Sequence, residues 1–175
     1  MKIFINPGHG GSDPGAISKS GVKEAVIAAE ISSKLNNILI NSGYKTELFQ
    51  QKNSVLEVTR KECTSNSDLF ISIHCNSHVN PSANGVEVLY FPSSIKGKKY
   101  AEIMQQALVN ITKLKNRGII PRNNLYVLKA TKAPAILIEL AFLSNSKEEL
   151  LLKNNQDLFI NALFTGIEQI KSQQG

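Results

Sequence analysis

Four residues of this chain have the types to do chemistry together: His9, Glu24, His74 and Glu139. His9 stands in the opening stretch MKIFINPGHGGSDPG, where a short apolar run stops at Pro7-Gly8 and glycines flank the imidazole. Those glycines give the turn a backbone freedom that other residues resist. His74 follows the dense β-forming run Leu69-Phe70-Ile71-Ser72-Ile73, and Glu139 ends the almost wholly apolar run Ala135-Ile-Leu-Ile138. Side chains that finish buried strands collect at the C-terminal edge of an open α/β sheet, where ligands bind. Glu24 arrives there by a different route. On a helical wheel it lies three, four and seven residues before Ile27, Ala28 and Ile31, on the face that packs against the sheet. Glu30 falls on the solvent side. The helix macrodipole favours an acid in the first turn, but it does not explain one aimed inward. Two imidazoles and one carboxylate are the donors of a catalytic zinc that keeps a fourth position for water. The second carboxylate then has work, because such a hydrolase needs a base for the water's proton. Burial that raises a carboxyl pKa suits Glu139 to that work at neutral pH.

Each residue alone has a blander reading. A histidine after a strand is often structural, a glutamate marks where a strand meets water, and a glycine-rich turn after a strand also cradles phosphate. Joint placement at one edge is what favours the metal.

Placing these residues takes alternating elements. Strands are expected at 2–6, 45–49, 69–73, 85–91, 125–128 and 135–138, and helices at 22–41, 55–66, 95–115 and 157–171. In the first helix Ile27, Ala28, Ile31, Leu35, Ile38 and Leu39 recur at helical spacing, and Gly43 is the stop. Ser54 is a candidate N-cap, and Ser146 with Glu149 spells a capping box before a short helix. Alternation of Val86, Val88 and Tyr90 predicts a strand exposed on one face near a sheet edge. The brief strand at 125–128 follows the polar turn Pro121-Arg-Asn-Asn124. The order of elements implies an α/β fold, a mostly parallel or mixed twisted sheet with helices on both faces. No internal repeat, low-complexity segment or linker interrupts it, so residues 1–175 are expected to form one domain. The tail from Ser172 is expected to fray.

The composition, 42% hydrophobic and 19% charged, is that of a soluble globular domain. No apolar run approaches the length that spans a membrane. The apolar stretch Ile3 to Ile5 is too short for a signal peptide. Action outside the cell would therefore require another export route, release on lysis, or excision from a longer protein. Cys63 and Cys75 form no CxxC pair. They read as free buried thiols, with a Cys-His nucleophile on Cys75 as the lesser alternative. The formal charge is +6, and between Glu102 and Glu139 there is no acid but there are Lys113, Lys115, Arg117, Arg122, Lys129 and Lys132. Such a span suits an anionic partner (nucleic acid, an acidic wall polymer or carboxylate-bearing peptides) or simply a solvated face.

Taken in order, Asn6-Pro-Gly-His-Gly-Gly-Ser-Asp-Pro-Gly-Ala16, Glu24, Ser72-Ile-His-Cys-Asn76, Gly85-Val-Glu-Val88, Arg122-Asn-Asn-Leu-Tyr-Val-Leu128, Pro134-Ala-Ile-Leu-Ile-Glu139 and Phe142-Leu-Ser-Asn145 form a pattern. It resembles the zinc-dependent N-acetylmuramoyl-L-alanine amidases of the type-3 family, the catalytic domains of bacterial autolysins and phage endolysins. The resemblance covers nearly the full chain. It implies a six-stranded α/β domain holding one zinc per chain through His9, Glu24 and His74, with Glu139 as the catalytic carboxylate. It also implies cleavage of the amide joining the lactyl group of N-acetylmuramic acid to L-alanine in peptidoglycan. The partner is then the cell wall, with no nucleic acid and no membrane insertion. By position and charge, Arg122 is expected to face stem-peptide carboxylates, with Asn123 and Asn124 as amide partners and Asn76 as a further substrate contact.

Two residues depart from the family pattern. Asn6 stands where an acid is common, altering the support expected behind His9, and Cys75 stands where a small residue such as alanine is common. The rivals are another zinc amide hydrolase, such as a carboxypeptidase or deacetylase, and an inert wall-binding relative. The latter is expected to lack at least one of the four residues. A nucleotide-binding protein would need a fuller phosphate loop and an acidic ribose partner, and neither is found.

Overall fold

The structure, a computed structural model, describes residues 1–173. Its elements in chain order are β1 (Lys2–Pro7), α1 (Glu24–Asn41), β2 (Lys45–Leu48), α2 (Val55–Cys63), β3 (Leu69–Asn76), β4 (Val86–Tyr90), α3 (Ile95–Thr112), β5 (Asn116–Pro121), α4 (Tyr126–Ala130), β6 (Ala135–Phe142), α5 (Ser146–Asn154) and α6 (Gln156–Ser172). The strands form a six-stranded sheet in the order β2-β1-β3-β6-β4-β5. β1, β2, β3 and β6 are parallel, β4 runs antiparallel to β6, and β5 is parallel to β4. The expected α/β class and mixed sheet are what the chain adopts.

The two faces of the sheet are covered unequally. On one, Ile3, Ile5, Ile71, Ile73, Ile136 and Ile138 pack with Ile27, Ile31, Leu35 and Leu39 of α1 and with apolar residues of α3 and α6. Each fully buried Ile or Leu there contributes about 1.5–3 kcal/mol, so packing is the main hold on these long helices. On the other face Phe4, Phe70, Leu89 and Leu137 meet Val58 of α2 and Val127 and Leu128 of α4, both short helices. Further along that face the apolar residues give way to Asn6, Ser72, His74, Glu87 and Glu139. This polar half is the edge to which the candidate residues come.

A bulge shapes that edge. β3 and β6 pair His74 with Glu139, but the next partners are Asn76 and Phe142. The extra residue in β6 brings Phe142 onto the same face as Glu139, as bulges beside functional sites do.

Several expectations change. The run 125–128 is not a strand: Leu125 precedes α4, whose Val127 and Leu128 are buried. A short apolar run has no period that separates strand from helix. The strand of this region is β5, preceding the polar turn. Its alternation is broken by a bulge at Arg117-Gly118, opposite β4. β4 is buried throughout, so it is not exposed on one face; it lies next to the edge strand β5. α1 begins at Glu24, and α2 and α3 end at Cys63 and Thr112, earlier than expected. α5 is capped by Asn145, whose side chain accepts from the backbone of Lys147 and Glu148, not by a Ser146–Glu149 box. Glu149 instead accepts from Ser18 and Ser20, which ties the loop before α1 to α5. Ser172 belongs to α6; the rest of the expected frayed tail, beyond residue 173, lies outside the described residues. Among the described residues no helix is long and apolar enough to cross a membrane.

Candidate metal centre and catalytic carboxylate

His9 sits just past β1 in the left-handed region, with φ 59°. A non-glycine residue there is uncommon and marks a constrained turn. Its Nδ1 lies 2.8 Å from Asp13 Oδ2. Asp13, held below the usual carboxylate range mainly by that bond, is an ionised acceptor, so Nδ1 carries the hydrogen and Nε2 faces inward.

His74 is oriented by a different relay. Asn6 Nδ2 donates to the carbonyls of Pro7 and Phe49, which leaves Asn6 Oδ1 to accept from Ser72 Oγ at 2.8 Å. The Ser72 hydroxyl hydrogen is thereby spent, so its oxygen accepts from His74 Nε2–H at 3.1 Å. His74 therefore presents Nδ1. Asn6 supports His74, not His9 as its position beside the first turn suggested.

Glu24 opens α1 without capping it. The helix N–H groups of Glu24 and Ala25 are taken by the carbonyls of Ala16 and Pro14, which frees the carboxylate to turn over the sheet edge. Its Oε1 lies 2.9 Å from His74 Nδ1 and accepts from the Cys75 N–H at 3.0 Å. Its Oε2 lies 3.1 Å from His9 Nε2 and accepts from the Ala16 N–H at 2.9 Å. The three residues offer ligand atoms that all lie within 4.8 Å of one another. A lone-pair nitrogen facing an ionised oxygen at such range repels it unless a proton or metal cation lies between. Burial pushes the Glu24 carboxyl up, but the bonds from His74 and His9 outweigh it and hold it well below the usual range. The Glu24 bond in turn raises His9 to about 9, against burial.

Two glycines are the cradle. A Cβ on Gly15 would stand 2.5 Å from His9 Cδ2 and 2.6 Å from Glu24 Oε2, and one on Gly8 2.5 Å from the His74 ring. Gly15→Ala is expected to displace both His9 and Glu24, and its φ of +64° adds backbone strain. Metal affinity should fall on the order of 10–100-fold, the size of an outer-sphere defect; a zinc titration indistinguishable from wild type would contradict this cradle.

Glu139 completes the group. Burial raises its carboxyl to about 7, opposed by the charge of His74 and reinforced by those of Glu24 and Glu87. Its Oε2 is shut from solvent and has no hydrogen-bond partner among the described residues. A buried carboxylate oxygen left without a donor costs on the order of 1–3 kcal/mol or more, a cost that a structural role does not recover. Opposite it on β4 stands Glu87, buried, accepting from Asn76 Nδ2 at 2.9 Å and Arg117 Nε at 2.6 Å. The donor set, the cradle and this unpartnered oxygen together fit a divalent metal of the nitrogen- and oxygen-binding kind.

The sequence family described as N-acetylmuramoyl-L-alanine amidase matches residues 3–169. The chain belongs to this amidase family. It is 34% identical to the amidase LytC of Bacillus subtilis, over 86% of this chain and 31% of that protein. It is 31% identical to the amidase CwlM of Bacillus licheniformis, over 95% of this chain and 65% of that one. The chain thus spans less than two thirds of either relative. The crystal structure of an N-acetylmuramoyl-L-alanine amidase from Clostridium difficile 630 superposes with a TM-score of 0.91 at 30% identity, covering 99% of this chain and 98% of that one.

In this member of the amidase family the remaining candidate residues are dispersed. Because β4 and β5 run against β6, Arg122 follows the end of β5 that lies away from Glu139, hydrogen-bonded through its N–H to Tyr90. Arg122, Asn123 and Asn124 are exposed there, and the structure does not bring them to the four-residue cluster. Asn76 is beside it, but its amide donates to Glu87 and its carbonyl accepts from the Ser77 N–H. The basic span is split as well. Lys115 and Arg117 lie at the Glu139 end of β5, while Lys132 donates to the Cys63 carbonyl and lines a cavity with Lys96, Lys99 and Pro134 at the other end.

Sequence reasoning missed Asp13 and Ser72 as partners of the imidazoles, though both stood inside the quoted motifs. Their signal was spacing: Asp13 is four residues after His9, and Ser72 shares a strand face with His74.

Cys75 packs into the core on the opposite face from His74. Burial raises its thiol well above the ordinary value, with the charges of Glu24 and Glu139 adding to it. Such a thiol is a poor nucleophile. Cys75→Ala should keep turnover within a few-fold, and its complete loss with metal still bound would restore the thiol reading.

The metal-free amidase-family chain should also have a distinctive pH dependence. His9 is raised from 6.5 to about 9 and Glu139 from 4.5 to about 7. Both retain protons when folded that the unfolded chain has released. Protonated His9 stabilises the fold through its bonds and ionised Glu139 costs it desolvation, so with either group stability is fullest below the unfolded value and falls as pH rises through the folded one. Glu24 acts oppositely, but only in acid. Melting temperature of the chelated protein should therefore fall from pH 6 to 9; a rise across that window would contradict the assigned environments.

Proposed function

We propose that residues 1–175 act as one catalytic unit, a zinc-dependent N-acetylmuramoyl-L-alanine amidase acting on peptidoglycan in the cell wall. The bond cut is the amide between the lactyl group of N-acetylmuramic acid and L-alanine. The observation that carries this reading is the buried Glu139 Oε2, without a hydrogen-bond partner among the described residues, beside three convergent donors. His9 through Nε2, His74 through Nδ1 and a Glu24 oxygen would hold the zinc. Bound there, zinc supplies a water of lowered pKa and polarises the amide carbonyl. Glu139 accepts the proton released as water adds to the carbonyl carbon. It then returns that proton to the nitrogen of L-alanine as the C–N bond breaks, so the amine leaves neutral. Asp13 and Ser72 keep each imidazole in the tautomer that presents its inward nitrogen. The N–H groups of Ala16 and Cys75 fix the Glu24 carboxylate so that little reorganisation accompanies metal uptake.

Membership of the family supports the substrate, and a relative from Staphylococcus epidermidis is named as a probable cell wall amidase. Action on the wall places the work of this chain outside the cytoplasm, with no role for nucleic acid. Mass spectrometry of purified peptidoglycan after digestion tests the reading. Fragments with a new N-terminal L-alanine and intact glycan are expected. Cuts within the stem peptide, or released acetate, would replace it with a carboxypeptidase or a deacetylase.

A further inference from the structure

Arg117 is held at the Glu139 end of β5 in a way that a structural salt bridge does not require. Its Nε donates to Glu87 Oε2 at 2.6 Å, and its guanidinium carbon lies 4.8 Å over the Phe142 ring. Nη1 reaches the Asn84 carbonyl only at 3.4 Å. Both hydrogens of Nη2 and one of Nη1 have no acceptor among the described residues. The side chain is 32% exposed, whereas Glu87 beneath it is 8% exposed and secured from its other side by Asn76. Asn76 Nδ2 already occupies Glu87 Oε1, so Arg117 engages only Oε2, and through Nε. Here a single bond and one aromatic face fix the plane, and the Nη edge is left over.

The neighbourhood says what that edge is for. Glu87 is paired directly across the strands with Glu139, so the guanidinium stands one side chain from the proposed base. Glu24, Glu87 and Glu139 offset the charge of the proposed zinc, so a ligand bearing its own carboxylate gains from a separate fixed cation beside them. A guanidinium already oriented loses little freedom on binding and matches a carboxylate in its plane.

We infer that Arg117 is the receptor for a stem-peptide carboxylate on the L-alanine side of the scissile amide, a specificity-determining role. The inference rests on the amidase reading above. It moves carboxylate recognition from Arg122, at the far end of β5, to a residue that the β5 bulge brings onto the site face, against the Phe142 that the β6 bulge places there.

Two muropeptides test it, identical except for a carboxylate or a carboxamide on the residue after L-alanine. Affinities are measured by calorimetry on the zinc-loaded Glu139→Ala protein, and kcat and KM on the protein with Glu139 intact. The carboxylate ligand should bind on the order of 10–100-fold more tightly than the carboxamide, the worth of a charge-assisted hydrogen bond. Arg117→Gln should bring that ratio close to one, raising KM for the carboxylate substrate more than it lowers kcat. Arg117→Lys keeps the charge beside Glu87 but lacks the fork, and should retain only a few-fold preference. It also carries the test if Arg117→Gln melts too low to assay. The inference is overturned if wild-type protein shows no preference, if the preference survives both substitutions, or if both ligands weaken equally. Failure of the amidase reading looks different: selective binding would persist while neither muropeptide is cut at its lactyl amide.

Discussion

Glu139→Ala should retain one zinc per chain and lose turnover by roughly 10²–10⁴-fold, the usual worth of a positioned general base. The motive is the buried Oε2 that has no partner among the described residues, on a strand otherwise apolar up to that residue. Among the described residues, removing it takes away no hydrogen bond to His9, Glu24 or His74. The fold should not suffer, because a desolvated carboxyl with an unmet hydrogen bond is itself a cost. Metal analysis and turnover on the same preparation check both halves. Loss of the metal from this variant, with Glu24→Ala keeping it, would mean that the two acids have exchanged roles.

Glu24→Ala should fail in the opposite manner. Its carboxylate lies between both imidazoles and also accepts from the Ala16 and Cys75 N–H groups. Metal affinity is expected to fall by more than the roughly 10–100-fold that loss of an outer partner costs. Activity should drop with it and recover in part as zinc is added. The melting temperature should drop too, since the Cys75 N–H is left buried without an acceptor, which costs about 1–3 kcal/mol. Zinc titration monitored by activity and by melting checks this. A variant that binds zinc as wild type does would remove Glu24 from the donor set.

Much of the site could be read without a structure because each of its residues is announced by a local pattern. His9, His74 and Glu139 end strands whose apolar runs are unmistakable, and the inward aim of Glu24 follows from its spacing to Ile27 and Ile31. What could not be read depends on relations between distant strands. Nothing in the residues 85–91 states that β4 runs against β6, and that reversal alone decides that Arg117, not Arg122, stands near Glu139. The two bulges have the same character. Each shifts a side chain to the other face, which hides Phe142 and Arg117 from any alternation count. Asn6 supports His74 because its amide oxygen accepts from Ser72 across on β3, a relation that its position beside the first turn does not announce. The 125–128 run reads as a strand because Val127 and Leu128 are buried against the sheet from a short helix, and five residues are too few to show a period.

The most direct test of the metal centre is X-ray absorption at the zinc edge on the purified, active protein. The expected spectrum is one zinc per chain with two imidazole nitrogens at ~2.0–2.1 Å and oxygen ligands at ~2.0–2.2 Å, from Glu24 and water. A sulfur shell near ~2.3 Å, or active protein containing no metal, would contradict it.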